Sequence, residues 1–177
     1  MDYNFETVWN VCSPALIEEV IAFWTAENAL PTEDDPAVRA GQTVVVARDR
    51  DGGIAGTCTA YLRVVPRLGQ PMYYYRMFFS SGHRRKYSII PMMKEAQKAL
   101  SAYNSGLPKP ESLGVVLEVE NANLRSHTTP TWPVGFNFIG YSPRRLPLYA
   151  YYFPDARLLP PAGRGTAAEE DTPCAAP

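Results

Sequence analysis

The chain has 177 residues, 46% of them hydrophobic, and a net charge of −1, enough to bury one core and in keeping with a single domain. No run approaches the roughly 20 apolar residues that cross a bilayer, and the opening MDYNFETVWN has neither the basic nor the apolar character of a leader. The three cysteines, Cys12, Cys58 and Cys174, are odd in number and far apart, which suits neither a disulfide framework nor a C-x-x-C metal pair. These features argue against a secreted or membrane protein and predict a soluble cytoplasmic one.

Residues 3 to 11 alternate aromatic and β-branched side chains and read as a first strand. Ser13-Pro14 is a helix start, Ser as N-cap and Pro in the first turn, with Leu16, Val20, Phe23 and Trp24 as the core stripe of a helix reaching about Asn28. The segment ALPTEDDPAVRAG is a loop or a broken second helix. Strands follow at 43–49 and 54–63, joined through Arg50, Asp51, Gly52 and Gly53, where the glycines accept positive φ. Cys58 alternates with Thr57 and Thr59, so it points inward beside Ala60 and Leu62.

A third strand covers 72–80. Ser88 is the expected N-cap of a helix through Tyr103 with Ile89, Met93, Ala96 and Leu100 inward, Pro91 being tolerated in its first turn. LGVVLEVE is a buried strand, the segment before Pro130 holds at most a short helix, and FNFIGY and LYAYYF close the fold as two more strands. From about Pro154 the composition is Ala, Pro, Gly, Thr and acid, which divides the chain into a domain over 1–153 and a flexible acidic tail over 154–177.

Charge is segregated along the chain. Residues 1–50 carry three basic and nine acidic side chains, whereas residues 51–110 carry nine basic and two acidic. Either the two halves pair with each other, or they line a site that takes an anion on one side and a cation on the other. The basic half centres on YYYRMFFSSGHRRKYSII, where a strand runs through His83, Arg84, Arg85 and Lys86 into a helix. Unpaired amides and the dipole at a helix start favour negative charge, so this junction is either an anion cradle or a charged turn. The dense tyrosines would also stack on nucleobases, but at alternating strand positions they serve a sheet, and nucleic acid is a minor candidate.

The order strand, basic loop, helix, strand, Asn121 or Asn123, then Gly135-Phe136 resembles the GNAT superfamily of acyl-CoA-dependent N-acyltransferases over nearly all of residues 3–153. The resemblance implies an α+β fold, a mixed central sheet of about six to seven strands flanked by helices. In that family a Q/R-x-x-G-x-G/A loop binds the pyrophosphate of acyl-CoA. Arg84, Arg85, Lys86, Tyr87, Ser88 and Ile89 align with it, with Tyr87 and Ile89 in place of its glycines. The resemblance also assigns Met77 and Phe79, at the end of the third sheet strand, to cofactor binding.

It further implies acetyl-CoA or another acyl-CoA as co-substrate and an amine-bearing small molecule or protein as acceptor, with a homodimer compatible. Glu33, Asp34 and Asp35 fall near the acceptor entrance. His83 precedes the loop, where part of the family keeps its general base, and imidazole is the side chain that ordinarily titrates nearest neutrality. Glu118 and Glu120 share a face of the fifth strand, where a carboxylate either relays a proton through water, Glu120 being the second catalytic candidate, or pairs structurally with Arg76 or another strand neighbour. The family's Tyr, general acid for the departing thiolate, is replaced by Thr131. Two functions stay open: an N-acyltransferase, or a member of this fold that has lost catalysis and serves as a binding or structural module.

Overall fold

The computed structural model describes residues 3–30, 35–83, 86–126 and 129–160. Eight strands form one sheet: β1 (Asn4–Thr7), β2 (Thr43–Arg48), β3 (Ile54–Val65), β4 (Gln70–Phe79), β5 (Gly114–Glu118), β6 (Thr131–Trp132), β7 (Phe136–Tyr141) and β8 (Pro147–Tyr152). Their spatial order is β1-β2-β3-β4-β5-β8-β7-β6, antiparallel throughout except for the parallel pair β4–β5. The helices are α1 (Pro14–Ala26), α2 (Pro36–Gly41), α3 (Lys86–Gly106) and α4 (Ala122–Arg125). The architecture is the expected α+β sheet flanked by helices. One strand exceeds the expected range: β6 is two residues long, confined between Pro130 and Pro133, and too short to leave a pattern.

Several boundaries differ from the sequence reading, for local reasons. β1 stops at Thr7, and Asn10 at φ 59° turns the chain, a conformation asparagine tolerates better than most residues. Ser13 does cap α1, its Oγ accepting from Leu16 N at 3.2 Å. Ser88 is not a cap, because α3 already runs from Lys86 and places Pro91 in its second turn. Cys58 and Ala60 are fully buried as expected, but Leu62 is 43% exposed because β3 and β4 project together as a long hairpin.

Each face of the sheet packs its own helices. On one, Met92, Met93, Ala96 and Leu100 of α3 bury against Tyr73, Tyr75, Val115 and Leu117. On the other, Val20 and Trp24 of α1 and Ala40 of α2 cover Val46 with Phe78 alongside. Trp24 Nε1 donates to Thr57 Oγ1 at 2.9 Å, so the largest side chain of that core keeps its polar atom satisfied.

The long return from α3 to β5 is pinned by buried Asn104, whose Oδ1 accepts from Glu111 N and Ser112 N while Nδ2 donates to Ser112 O. Beyond β8 the chain still holds the sheet. The Gln70 amide exchanges two hydrogen bonds with the Leu159 main chain, at 2.9 and 3.0 Å. The remainder of the expected tail, 161–177, lies outside the described residues.

Candidate active site

The parallel pair β4–β5 is where the sheet opens. Its register is Tyr73↔Val115, Tyr74↔Val116 and Tyr75↔Leu117, and there it ends. β4 goes on to Phe79 paired only with β3, and β5 goes on to Glu118 paired only with β8.

Which main-chain groups face the opening follows from parity. Pro71 O accepts from Leu113 N at 3.0 Å and Tyr73 N donates to Ser112 Oγ at 3.1 Å, so odd-numbered residues of β4 turn their main chain toward β5. Ser80 N donates to Ala55 O at 3.0 Å, so even-numbered ones bond β3. Met77 is therefore the first residue past the last rung whose amide and carbonyl point into the opening, and Phe79 turns the same way. Both residues were singled out by the sequence, and the ladder brings them together on one strand edge.

From the end of β4 the chain runs through the turn Ser81–His83 toward α3. Arg84 and Arg85 lie outside the described residues. Lys86, Tyr87 and Ser88 form the first turn of α3, with Ile89 next and half-buried against the core. His83 closes the short 3₁₀ turn Ser81–His83. Its Nδ1 is 3.1 Å from the Tyr3 hydroxyl, and the two rings meet edge-on at 5.7 Å. Tyr3 leads into β1, so this contact sets His83 toward the β1 end of the sheet. Gly56 makes room for Phe79: a Cβ there would stand 2.5 Å from its ring.

On the opposite face, the even-numbered side chains build a polar wall. The Tyr74 hydroxyl donates to Glu118 Oε2 at 2.5 Å. Arg144, from the turn between β7 and β8, bonds both Glu118 and Glu120. The sequence reading allowed Glu118 an Arg76 partner, and the register explains why Arg76 does not serve. One more rung would set Arg76 opposite Glu118, but the strands have parted. Arg76 instead donates to Gln42 Oε1 at 2.7 Å and stacks its guanidinium 5.1 Å from the Tyr61 ring.

The electrostatics follow from these contacts. Burial alone would raise the Glu118 carboxyl. The hydrogen bonds of Arg144, Ser142 and Tyr74 outweigh it and hold the group below its ordinary value. Tyr74 is pushed up, by burial first and then by donating to that carboxylate. Cys58 is buried and its thiol is pushed up to about 12 by desolvation, an inert packing residue.

Beside this wall a cleft of about 200 Å³ is lined by Asp35, Val38, Arg39, Gln42, Tyr61 and Arg76. Asp35, expected at the acceptor entrance, lines it and also caps α2, its Oδ1 accepting from Ala37 N and Val38 N at 2.9 and 3.3 Å. Glu33 and Asp34 lie outside the described residues. Tyr61, Tyr74, Gln42 and Arg144 were not singled out by sequence. For Tyr74 the parity shared with Glu118 was a usable signal, whereas Arg144 arrives from a distant turn.

The Gly135-Phe136 pair stands where expected. Gly135 has φ 79° and turns the chain into β7, while Phe136 is buried in the α3-side core. Thr131 sits exposed on β6, and the adjoining Trp132 stacks on Tyr149 at 5.0 Å.

No protein-family model and no curated protein sequence matches the chain. Solved structures do. A GNAT-family acetyltransferase from Streptococcus pneumoniae is 15% identical with a TM-score of 0.52, over 84% of this chain and 96% of that one. One from Staphylococcus aureus Mu50 is 14% identical with a TM-score of 0.53, over 86% and 99%. A GNAT-superfamily phosphinothricin acetyltransferase from Sinorhizobium meliloti, in complex with AcCoA, is 13% identical with a TM-score of 0.54, over 96% and 98%. At such identities the likeness is one of fold, and the chain carries a divergent version of the GNAT fold.

Proposed function

We propose that this protein is an N-acyltransferase that moves an acetyl or other acyl group from CoA to the amine of an acceptor. The observation that carries the reading is the parting of β4 and β5 beyond Tyr75, which turns the Met77 main chain into an opening with a helix start on one face and a polar wall on the other. An extended ligand fits such an edge by completing the ladder that the strands abandon. The amides of the first turn of α3 and the charges of Arg84, Arg85 and Lys86 suit a pyrophosphate, although Tyr87 and Ile89 stand where the family's loop has glycines.

Acyl transfer to an amine needs a proton taken from nitrogen and a donor for the developing oxyanion. The Met77 N–H is that donor, a role worth on the order of 10²–10³ in rate. Glu120, joined to Glu118 through Arg144, takes the proton through water, and both carboxylates stand at the opening on the acceptor face. His83 belongs to the cradle side with Tyr3. With Thr131 at the family's tyrosine position, the chain offers no phenol there to the leaving group. The acceptor's way in is assigned to Asp35 and to Glu33 and Asp34, which precede it in the sequence.

A second reading, a binding or structural module without catalysis, is favoured by Tyr87, Ile89 and Thr131. Calorimetric titration with acetyl-CoA, followed by thiol release against a panel of amines, separates the two. Micromolar binding with turnover supports the enzyme, binding without turnover supports the module, and absent binding removes CoA from both.

A further inference from the structure

Arg144 holds Glu118 and Glu120 in a way that bears on the acceptor, an inference that rests on the acyltransferase reading. A single nitrogen, Nη2, donates to both carboxylates, to Glu118 at Oε2 and to Glu120 at Oε1. A guanidinium grips a carboxylate best through two parallel bonds, and here it binds end-on through one atom. The three side chains are unequally placed: that of Glu118 is 5% exposed, whereas those of Arg144 and Glu120 are 57% and 64% exposed. Arg144, Ser142 and Tyr74 support the Glu118 carboxylate, yet its Oε1 is buried and has no hydrogen-bond partner among the described residues. A buried acceptor left without a donor is costly, and it marks a place that a ligand hydrogen can fill.

Donors and acceptors do not match in number at this point. Nη2 carries two hydrogens, and the pair of carboxylates offers Glu118 Oε2, Glu120 Oε1 and the orphan Glu118 Oε1. An ammonium carries three hydrogens on one nitrogen, a compact charge with a donor for each oxygen. Losing the guanidinium outright would strand a buried anion, so whatever replaces it must itself be a cation. The turn that carries Arg144 is closed by its own main chain, Ser142 N bonding Leu146 O at 2.9 Å and Arg145 N bonding Ser142 O at 2.8 Å, so the side chain can leave without unmaking it. A nitrogen held between two carboxylates keeps its proton and is no nucleophile, so it anchors the acceptor while another nitrogen reacts. We infer that the acceptor is a diamine, one ammonium of which displaces Arg144 Nη2 and binds Glu118, while its second nitrogen receives the acyl group. That second nitrogen, neutral as it attacks, bonds the acyl carbon and gives one proton through water to Glu120. The C–S bond breaks, and its electron pair leaves on the CoA sulfur.

The test uses linear diamines, each beside the monoamine of the same chain length. Thiol release from acetyl-CoA measures transfer, and calorimetry with CoA present measures binding. At least one diamine should show a kcat/KM about tenfold or more above its monoamine, the scale of one buried charge pair, and mass spectrometry should find one acyl group per diamine. Glu118→Gln should weaken diamine binding about tenfold. Arg144→Gln, which vacates the anchoring place, should strengthen it, a gain that loss of a purely structural arginine would not give. Circular dichroism confirms that each variant folds. The inference is overturned if no diamine binds, if folded Arg144→Gln protein binds diamines no better than the wild type, or if magnesium or calcium ions bind through Glu118 in place of the diamine. Glu118-dependent diamine binding without thiol release would uphold the site and remove the acyl-transfer reading. Transfer to monoamines as fast as to diamines would do the reverse.

Discussion

Tyr74 on β4 donates to Glu118 on β5 at 2.5 Å, so side chains tie the two strands together just where their main chains part. The Glu118 side chain is only 5% exposed, and a hydrogen bond to a buried charge is among the stronger ones. Tyr74→Phe should cost about 1–3 kcal/mol of stability, with Arg144 still holding the carboxylate. Urea denaturation measures it, and an unchanged midpoint would mean that the tie contributes nothing.

The same contacts predict a pH dependence. Glu118 and Glu19 both have folded-state values below their ordinary ones, Glu19 chiefly through its hydrogen bonds from Arg48. A depressed carboxyl contributes stability that is fully present above its unfolded pKa, about 4.3, and is lost as pH falls through the folded value. Unfolding midpoints should therefore hold steady from neutrality to about pH 5 and decline below it. Arg144→Met should flatten part of that acid limb, which a series of thermal melts will show.

The end of the ladder predicts uneven hydrogen exchange along one strand. The Tyr75 amide lies at the last rung to β5, whereas the Met77 amide has no rung to β5. Met77 should exchange faster than Tyr75 despite sharing β4, and should become protected when acetyl-CoA is added. Equal rates in the free protein would mean that the strands stay closed.

Gly56 and Phe79 couple packing to the site. A Cβ at residue 56 would meet the buried Phe79 ring at 2.5 Å, so Gly56→Ala must displace it, at about 1–3 kcal/mol for overpacking. Because Phe79 sits on the strand edge beside the opening, affinity for acetyl-CoA should fall alongside the melting temperature. Gly41→Ala, where no atom lies within 4 Å, is the matched control.

The basic loop can be tested by charge. Changing Arg84, Arg85 and Lys86 together to Ala should weaken acetyl-CoA binding by about 1–3 kcal/mol, the scale of a few charge-assisted hydrogen bonds. Calorimetry reads the change directly, and an unaltered affinity would move the pyrophosphate elsewhere.

Local chemistry made much of the fold legible in advance. Ser13-Pro14 announces α1, the turn before Gly53 is closed by Asp49 N bonding Gly53 O at 2.9 Å with Gly52 at φ 85°, and Gly135-Phe136 marks the start of β7. What stayed hidden depends on where strands stop. Nothing in the run Tyr73 to Phe79 says that its partner leaves after Tyr75, and that departure decides whether Glu118 meets Arg76 or Tyr74. Arg144 reaches Glu118 only because β8 lies between β5 and β7 in the sheet, a long-range fact that no short pattern carries. β6 escaped notice because two residues between prolines cannot show a period.

The clasp of Gln70 on Leu159 fixes where the described chain leaves the domain. Gln70 opens β4 and Phe79 ends it, and at about 3.3 Å per residue the two ends of that strand lie about 30 Å apart. A fluorophore or surface tether attached near Leu159 would thus sit at the far end of the strand from the β4–β5 opening. Immobilised this way, the protein would present its cradle and cleft to solution, a geometry suited to sensor-chip measurement of nucleotide and amine binding.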